Sequence, residues 1–333
     1  MIECAAMIDP RELRPRETDY PDATIHSDLR EGIEMITDAR PHRGTIFLED
    51  ARIVSLEAFP AGQYVMRFDA PECAACAKPG SFVHVTCDPC LPMRRPLSIM
   101  RADPHAGWID VLFKTVGQGM RALGHRQPGE RVSVLGPIGH PFRTSGERPH
   151  TLLVGGGVGI PPMVFLAEQL ANDRTGDWRP LVLMGSEIPF PFKVNSSQID
   201  VPEIAPEINA TMPLLEELGI AARLSSLSDI SGCFNGYVTD LAATWLEAQN
   251  ETVMEHTEIF ACGPQPMLQA IARVAEQFDV PCQVSLEEFM ACAVGGCAGC
   301  TVPVYESDGM QMKRVCVDGP VFDSRKVFPA AEL

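Results

Sequence analysis

The chain has 333 residues, 45% of them hydrophobic and 21% charged, enough to bury the cores of two or three domains. Its 27 Lys+Arg against 44 Asp+Glu leave a net charge of −17, a field that repels phosphate backbones and anionic membrane surfaces, so neither is expected as a partner. The longest apolar stretch, near 151–170, is broken by Gly and Pro, and the start MIECAAMIDPREL lacks the basic and apolar parts of a signal peptide, which points to the cytoplasm.

Residues 1–40 are charge-rich and nearly free of aromatics. Within them Ser27 is placed to cap a short helix carrying Leu29, Ile33 and Ile36 on one face. From Gly44 to Leu135 the runs TIFLEDARIVSLEAF, YVMRF, SFVHVT, PLSIM, WIDVLFK and RVSVL alternate with Pro, Gly and Asp clusters, which predicts an antiparallel barrel or sandwich. Beyond Arg148 the pattern changes. TLLVGGG, PLVLMG, AARLSS, EIFACG and CQVSL read as buried strands, with helices expected at 163–170, 213–218, 239–249 and 266–278, so a doubly wound parallel sheet is predicted. The stretch 188–209, with Pro189, Pro191, Pro202 and Pro206, reads as a long loop. A small Gly/Cys module follows Leu286.

Twelve cysteines in a chain without an export signal do not make a disulfide framework, because the cytosol keeps thiols reduced. Their grouping points to metal or iron–sulfur ligation. Cys292, Cys297 and Cys300 are spaced C-x4-C-x2-C, and Cys316 follows at a distance, the plant-type arrangement for a 2Fe-2S cluster. Gly295, Gly296 and Gly299 give the loop the freedom to wrap a cluster and let main-chain N–H groups face sulfur. A structural zinc site is the alternative. A second set, Cys73 and Cys76 with Cys87 and Cys90, has the spacing of a zinc knuckle, but equally suits small apolar packing.

Gly155, Gly156, Gly157 and Gly159 lie where a strand runs into a helix, a turn whose amides can hold a pyrophosphate or can merely bend the chain. Cys262, Gly263 and Pro264 close another strand of the same sheet. Glu187 follows the second strand, and an acid there favours NADH over NADPH. Arg94 and Arg95 open a β run with Pro96, Leu97 and Ser98, and Gly117 and Gly119 follow the next run; an arginine beside such a turn suits a flavin diphosphate, or is an edge device. His84, His140 and His256 form no spaced pair and read as structural or surface groups.

Taken together and in this order, the motifs resemble the ferredoxin–NAD(P)+ reductase superfamily, and within it the electron-transfer subunits of class 1B dihydroorotate dehydrogenases. The resemblance covers roughly 44–325. It implies a multidomain α+β and α/β chain: an extension over 1–42, an antiparallel FAD-binding β-barrel over 43–147, a doubly wound NAD-binding domain over 148–285 and a 2Fe-2S module over 286–333. The family's flavin motif falls on Arg95, Pro96, Leu97 and Ser98, its next flavin strand on Leu112, Phe113 and Lys114, and its Gly-Thr pair on Gly119 and Met120, where Met replaces Thr. Lys114 beside the flavin would favour an anionic reduced form. The nicotinamide motif falls on Cys262, Gly263 and Pro264, and the cluster ligands on Cys292, Cys297, Cys300 and Cys316, with Cys282 matching no ligand.

The implied cofactors are FAD, a 2Fe-2S cluster and NAD(H). The implied partner is an FMN-containing dihydroorotate dehydrogenase catalytic subunit, in a heterotetramer serving pyrimidine biosynthesis. No acid–base constellation is needed, since the cofactors carry the chemistry. Ile160-Pro161-Pro162 is stiffer than the family's usual turn. The extension 1–42 and the stretch 188–209 are additions, which leaves open a different acceptor such as a sulfite reductase, a hydrogenase or a ferredoxin. A cofactor-free scaffold or a zinc-bound adaptor is the reading from another class.

Overall fold

The computed structural model describes residues 45–329. The predicted extension helix around Ser27, Leu29, Ile33 and Ile36 lies outside them.

The six predicted β runs become β1 (Phe47–Phe59), β2 (Gln63–Asp69), β3 (Phe82–Val85), β4 (Arg95–Asp103), β5 (Trp108–Lys114) and β6 (Arg131–Ile138). They close into an antiparallel barrel in the order β1-β2-β5-β4-β3-β6, which decides between barrel and sandwich. Closure follows from the length of β1, whose first half pairs with β6 and second half with β2. A closed barrel leaves no unpaired edge. Ile53, Met66, Phe68, Ile99, Ile109, Val111 and Val134 fill its interior, all fully buried.

The second sheet is built on β7 (His150–Gly156) and β8 (Arg179–Gly185). Two-residue strands β9 (Asn195–Ser196) and β10 (Ala210–Thr211) pair across the Pro-rich stretch, which is otherwise the predicted loop yet packs firmly through Phe190, Val201 and Ile204. Then come β11 (Ala221–Ser226), β12 (Phe234–Asn235), β13 (Thr257–Cys262) and β14 (Cys282–Ser285). A hairpin of β15 (Thr301–Glu306) and β16 (Gly309–Arg314) precedes β17 (Val321–Asp323). The sheet order is β12-β11-β8-β7-β13-β14-β17, parallel except for β17, which runs antiparallel to β14. The expected doubly wound sheet is thus present, with a short strand added at each edge. Helices Ile160–Asn172, Pro213–Glu217, Val238–Glu247 and Gln265–Gln277 cover it, close to the predicted spans.

Helix Ile160–Asn172 lies between sheet and barrel and is apolar nearly all round. Ile160, Met163, Val164 and Leu166 share one core with Met100 and Leu112 of the barrel and Leu153 and Phe260 of the sheet. Arg101 of β4 reinforces this seam by forking onto Glu168, with N···O distances of 2.9 and 2.6 Å. Both side chains are largely buried, so truncating one strands the other's charge. Arg101→Ala is expected to lower stability by about 1–2 kcal/mol, read from the urea midpoint at unchanged slope.

Candidate functional site

Three clusters of predicted residues gather on this frame. At the carboxyl end of the parallel sheet, β7 runs into a 3-10 turn at Gly157–Gly159 and then the helix. Gly155 is in register with Cys262 of β13, and the space beside Gly159 is closed: a Cβ there would lie 2.2 Å from the Cys262 carbonyl oxygen and 2.5 Å from the Gly263 nitrogen. Glycine is required by close approach, which makes the turn and Cys262-Gly263-Pro264 one surface. Pro161 and Pro162 stand in the first turn of the helix and carry no N–H, so the turn 157–159 must supply the amides for an anion. Burial, with Glu287 adding to it, pushes the Cys262 thiol far up; a side-chain contact with Ser285 only partly offsets this, so the group is a neutral thiol.

On the barrel, Arg95 opens β4, and helix Gly117–Gly124 follows β5. The sequence suggested only a turn for this helix. A Cβ on Gly119 would meet the Arg95 guanidinium at 3.2 Å, so the guanidinium lies against the first turn of the helix, where main-chain N–H groups have no helical partner. Cation and amide donors converge as a diphosphate requires. Arg94 has a different task. It donates to the His84 carbonyl at 3.1 Å, the Ser133 carbonyl at 2.9 Å and the Ser133 Oγ at 2.8 Å, pinning three strands. Met120 is buried in the barrel core, which explains an apolar residue where a hydroxyl was expected and leaves only its main chain for a ligand. Leu112 and Phe113 are buried, Phe113 stacks on Tyr64 at 5.5 Å, and Lys114 at the strand end is half-buried and paired in register with Gln63. Pro96, Leu97 and Ser98 pair with His84, Val83 and Phe82 of β3.

The third cluster lies in the loop after β14 and the short helix Val315–Asp318. Cys297 N–H faces the Cys292 sulfur at 3.4 Å, Gly299 N–H faces the Cys297 sulfur at 3.4 Å, and Cys316 interacts with both Cys300 and Cys292. The four predicted thiols therefore converge. Ala293 and Ala298 adopt positive φ, a strain kept where the loop must curl, and Gly295 between them does so without strain. Next to Gly296 a Cβ would find nothing within 4 Å. Donors aimed at sulfur, open space and converging thiols suit a cluster. Among the described residues no three His, Cys, Asp or Glu groups stand at single-ion spacing, here or at Cys73, Cys76, Cys87 and Cys90. A two-iron cluster spreads its ligands over two metal atoms, so this count bears on zinc alone. Cys73 and Cys87 are buried in the barrel core while Cys76 and Cys90 are exposed, so each C-x2-C pair is divided between core and surface. Cys282 is a buried sheet residue whose thiol burial pushes up to about 12.

Arg314 and Asp318 were not singled out from the sequence. Arg314 donates to the Gly295 carbonyl at 3.1 Å, Asp318 accepts from the Arg314 main-chain N–H at 2.7 Å, and Val315 N–H bonds the Cys300 carbonyl at 2.9 Å. These contacts tie the loop to the segment bearing Cys316. Only pairing across the hairpin reveals them.

Partial burial raises the Cys292 thiol, but N–H groups of Val294, Cys297 and Gly296 outweigh it and bring the group down to about 7. Burial and the neighbouring Cys300 push Cys316 up to about 12. In the metal-free chain Cys292 is therefore expected to be alkylated ahead of Cys316, its rate rising with pH up to about 7 and flattening above, as peptide mapping after iodoacetamide pulses would record.

Residues 287–328 match the iron–sulfur cluster binding domain of dihydroorotate dehydrogenase B. Over 84% of this chain and 97% of its own length, the dihydroorotate dehydrogenase B (NAD(+)) electron transfer subunit of Desulforamulus reducens is 34% identical. The chain belongs to this family. The same-named subunit of Geobacillus thermodenitrificans is 35% identical over 84% of this chain and 98% of its own. Among solved structures, an NADH-dependent reduced ferredoxin-NADP oxidoreductase superposes with a TM-score of 0.65 at 24% identity, covering 84% of this chain and 90% of that one, a likeness of fold. This member of the electron transfer subunit family is an oxidoreductase subunit with a ferredoxin-reductase fold and an iron–sulfur binding domain. Among its described residues no helix is long and apolar enough to cross a membrane.

Proposed function

We propose that the chain relays electrons between NAD(H) and the FMN of a dihydroorotate dehydrogenase catalytic subunit, through FAD and a 2Fe-2S cluster. The observation that carries this reading is the convergence of Cys292, Cys297, Cys300 and Cys316 in the same folded unit as the Arg95–Gly119 cradle and the Gly159–Cys262 surface. The division 1–42, 43–147, 148–285 and 286–333 is the working division into extension, flavin, nicotinamide and cluster parts.

The chemistry a bound FAD would supply is hydride exchange with the nicotinamide and single-electron exchange with the cluster. The chain's own residues bind and orient. Arg95 and the N–H groups at Gly119 and Met120 hold the diphosphate, β4 through Ser98 and β5 through Lys114 flank the ring, and Lys114 favours negative charge there. Gly155, Gly156, Gly157 and Gly159 receive the dinucleotide against Cys262, Gly263 and Pro264. Glu187, exposed after β8, disfavours a 2′-phosphate and so selects NADH. The four cysteines hold the cluster, with Cys297 at the exposed edge and Cys300 and Cys316 inside. Phe289, Val294, Met310 and Met312 are exposed apolar groups of the same C-terminal part and suit a partner's surface.

An anaerobic visible spectrum of the purified chain, before and after NADH, tests the relay. Flavin and cluster absorbance bleached by NADH supports it; a colourless protein overturns it. Adding an FMN-bearing catalytic subunit with dihydroorotate then tests the partner. Electron flow to NAD+ supports the assignment, and its absence turns the search to the other acceptors.

A further inference from the structure

His84 on β3 is fully buried, and neither of its ring nitrogens has a hydrogen-bond partner. Taking an imidazole out of water without a partner is costly, so a buried, unpartnered ring calls for a use beyond packing. Its surroundings suggest which. Pro96, in the flavin-side run beginning at Arg95, is its register partner on β4, and its own carbonyl accepts from Arg94. On the other side the main chain of Met290 lies against the ring, two residues before Cys292, and the Arg94 main chain approaches as well. Met290, Ala293, Cys300 and Cys316 belong to the same hydrophobic core as Phe82 and Ile138 of the barrel, so the cluster loop and the ends of β3 and β6 contribute to one apolar interior. Burial first, then the charges of Arg94 and Arg95, push the imidazole down to about 4, which keeps it neutral and leaves it one donor and one acceptor.

Building on the cluster assignment above, we propose that His84 is a positioning residue that pegs the entrance of the cluster loop to the flavin barrel, closing a hydrogen bond between its ring and the Met290 main chain and so holding the two redox sites at a fixed separation. The covalent chemistry of neither site involves the ring.

The test uses the full chain with three readouts on His84→Ala and His84→Gln: stopped-flow bleaching of flavin and of cluster after NADH, the cluster midpoint potential, and amide hydrogen exchange over residues 287–292. In His84→Ala, flavin bleaching is expected to keep its rate while cluster reduction slows about tenfold and exchange at 287–292 rises about tenfold. The potential shifts by less than a tenfold change in the one-electron equilibrium, ~59 mV, because the ring touches no ligand. His84→Gln, which retains a donor and an acceptor, restores both rates to within about threefold. Unchanged exchange at 287–292 in a folded His84→Ala chain overturns the peg, as does a folded His84→Gln chain that behaves like His84→Ala. If His84→Ala does not fold, His84→Gln against wild type decides by the same exchange readout. A wild-type chain without iron overturns the cluster assignment instead, and the exchange readout still judges the peg.

Discussion

Cys316→Ser is expected to lower bound iron from about two atoms per chain to a tenth or less, while NADH continues to bleach the flavin. Cys316 is buried at the start of a short helix, and Arg314 and Asp318 hold that helix against the loop bearing the other three thiols. Cys282, the cysteine just before the module, is buried in the sheet on β14. A serine oxygen is a hard, poorly ionised donor where iron–sulfur chemistry needs thiolate. Electron delivery to any acceptor downstream of the cluster is expected to fall at least ~100-fold. Iron assay and the spectrum of the dithionite-reduced protein measure the effect, with Cys282→Ala as the buried-cysteine control that keeps its iron. Full iron in Cys316→Ser would remove this residue from the ligand set.

Gly159→Ala is expected to abolish hydride exchange with NADH, slowing flavin bleaching at least ~100-fold, and to destabilise the fold by about 1–3 kcal/mol. The added carbon would sit 2.2 Å from one main-chain atom of Cys262 and 2.5 Å from the nitrogen of Gly263, and neither is a flexible side-chain end that can swing away. Relief requires the turn and the end of β13 to part, which separates the two halves of the surface proposed for the nicotinamide. Gly146→Ala, where no atom lies within 4 Å of the new carbon, is the matched control and leaves both rate and stability unchanged. Stopped-flow mixing with NADH and urea unfolding of the same preparations report the two effects. Wild-type bleaching in a folded Gly159→Ala chain would mean that NADH is held elsewhere.

The repeating signals of the chain were legible without tertiary structure because they are local. Short β runs separated by Pro, Gly and Asp clusters marked all six barrel strands. Runs read as buried strands marked β7, β8, β11, β13 and β14, and cysteine spacing singled out Cys316 together with Cys292 and Cys300, which interact with it. Helix Gly117–Gly124 escaped notice because three of its eight residues are glycine; its position is set by Arg95 packing on Gly119, not by propensity. Pro161 and Pro162 could be read as stiffness, but only the helix start at Ile160 shows that they remove amides from the expected anion site.

Local pattern by itself thus determined the barrel strands, the parallel sheet, the glycine turn and the cluster spacing, since each depends on residues close in sequence. Tertiary structure alone decided how two adjacent arginines differ: Arg94 spends its donors on His84 and Ser133, while Arg95 uses one nitrogen on the Met93 and Arg94 carbonyls and lies beside Gly119. It also decided that Cys73 and Cys87 serve the barrel core, that Arg101 and Glu168 lock the barrel to the sheet, and that His84 faces the cluster loop. The physical reason is the same in each case. Burial, hydrogen-bond satisfaction and charge pairing are settled by groups tens to hundreds of residues apart, and no local pattern carries that information.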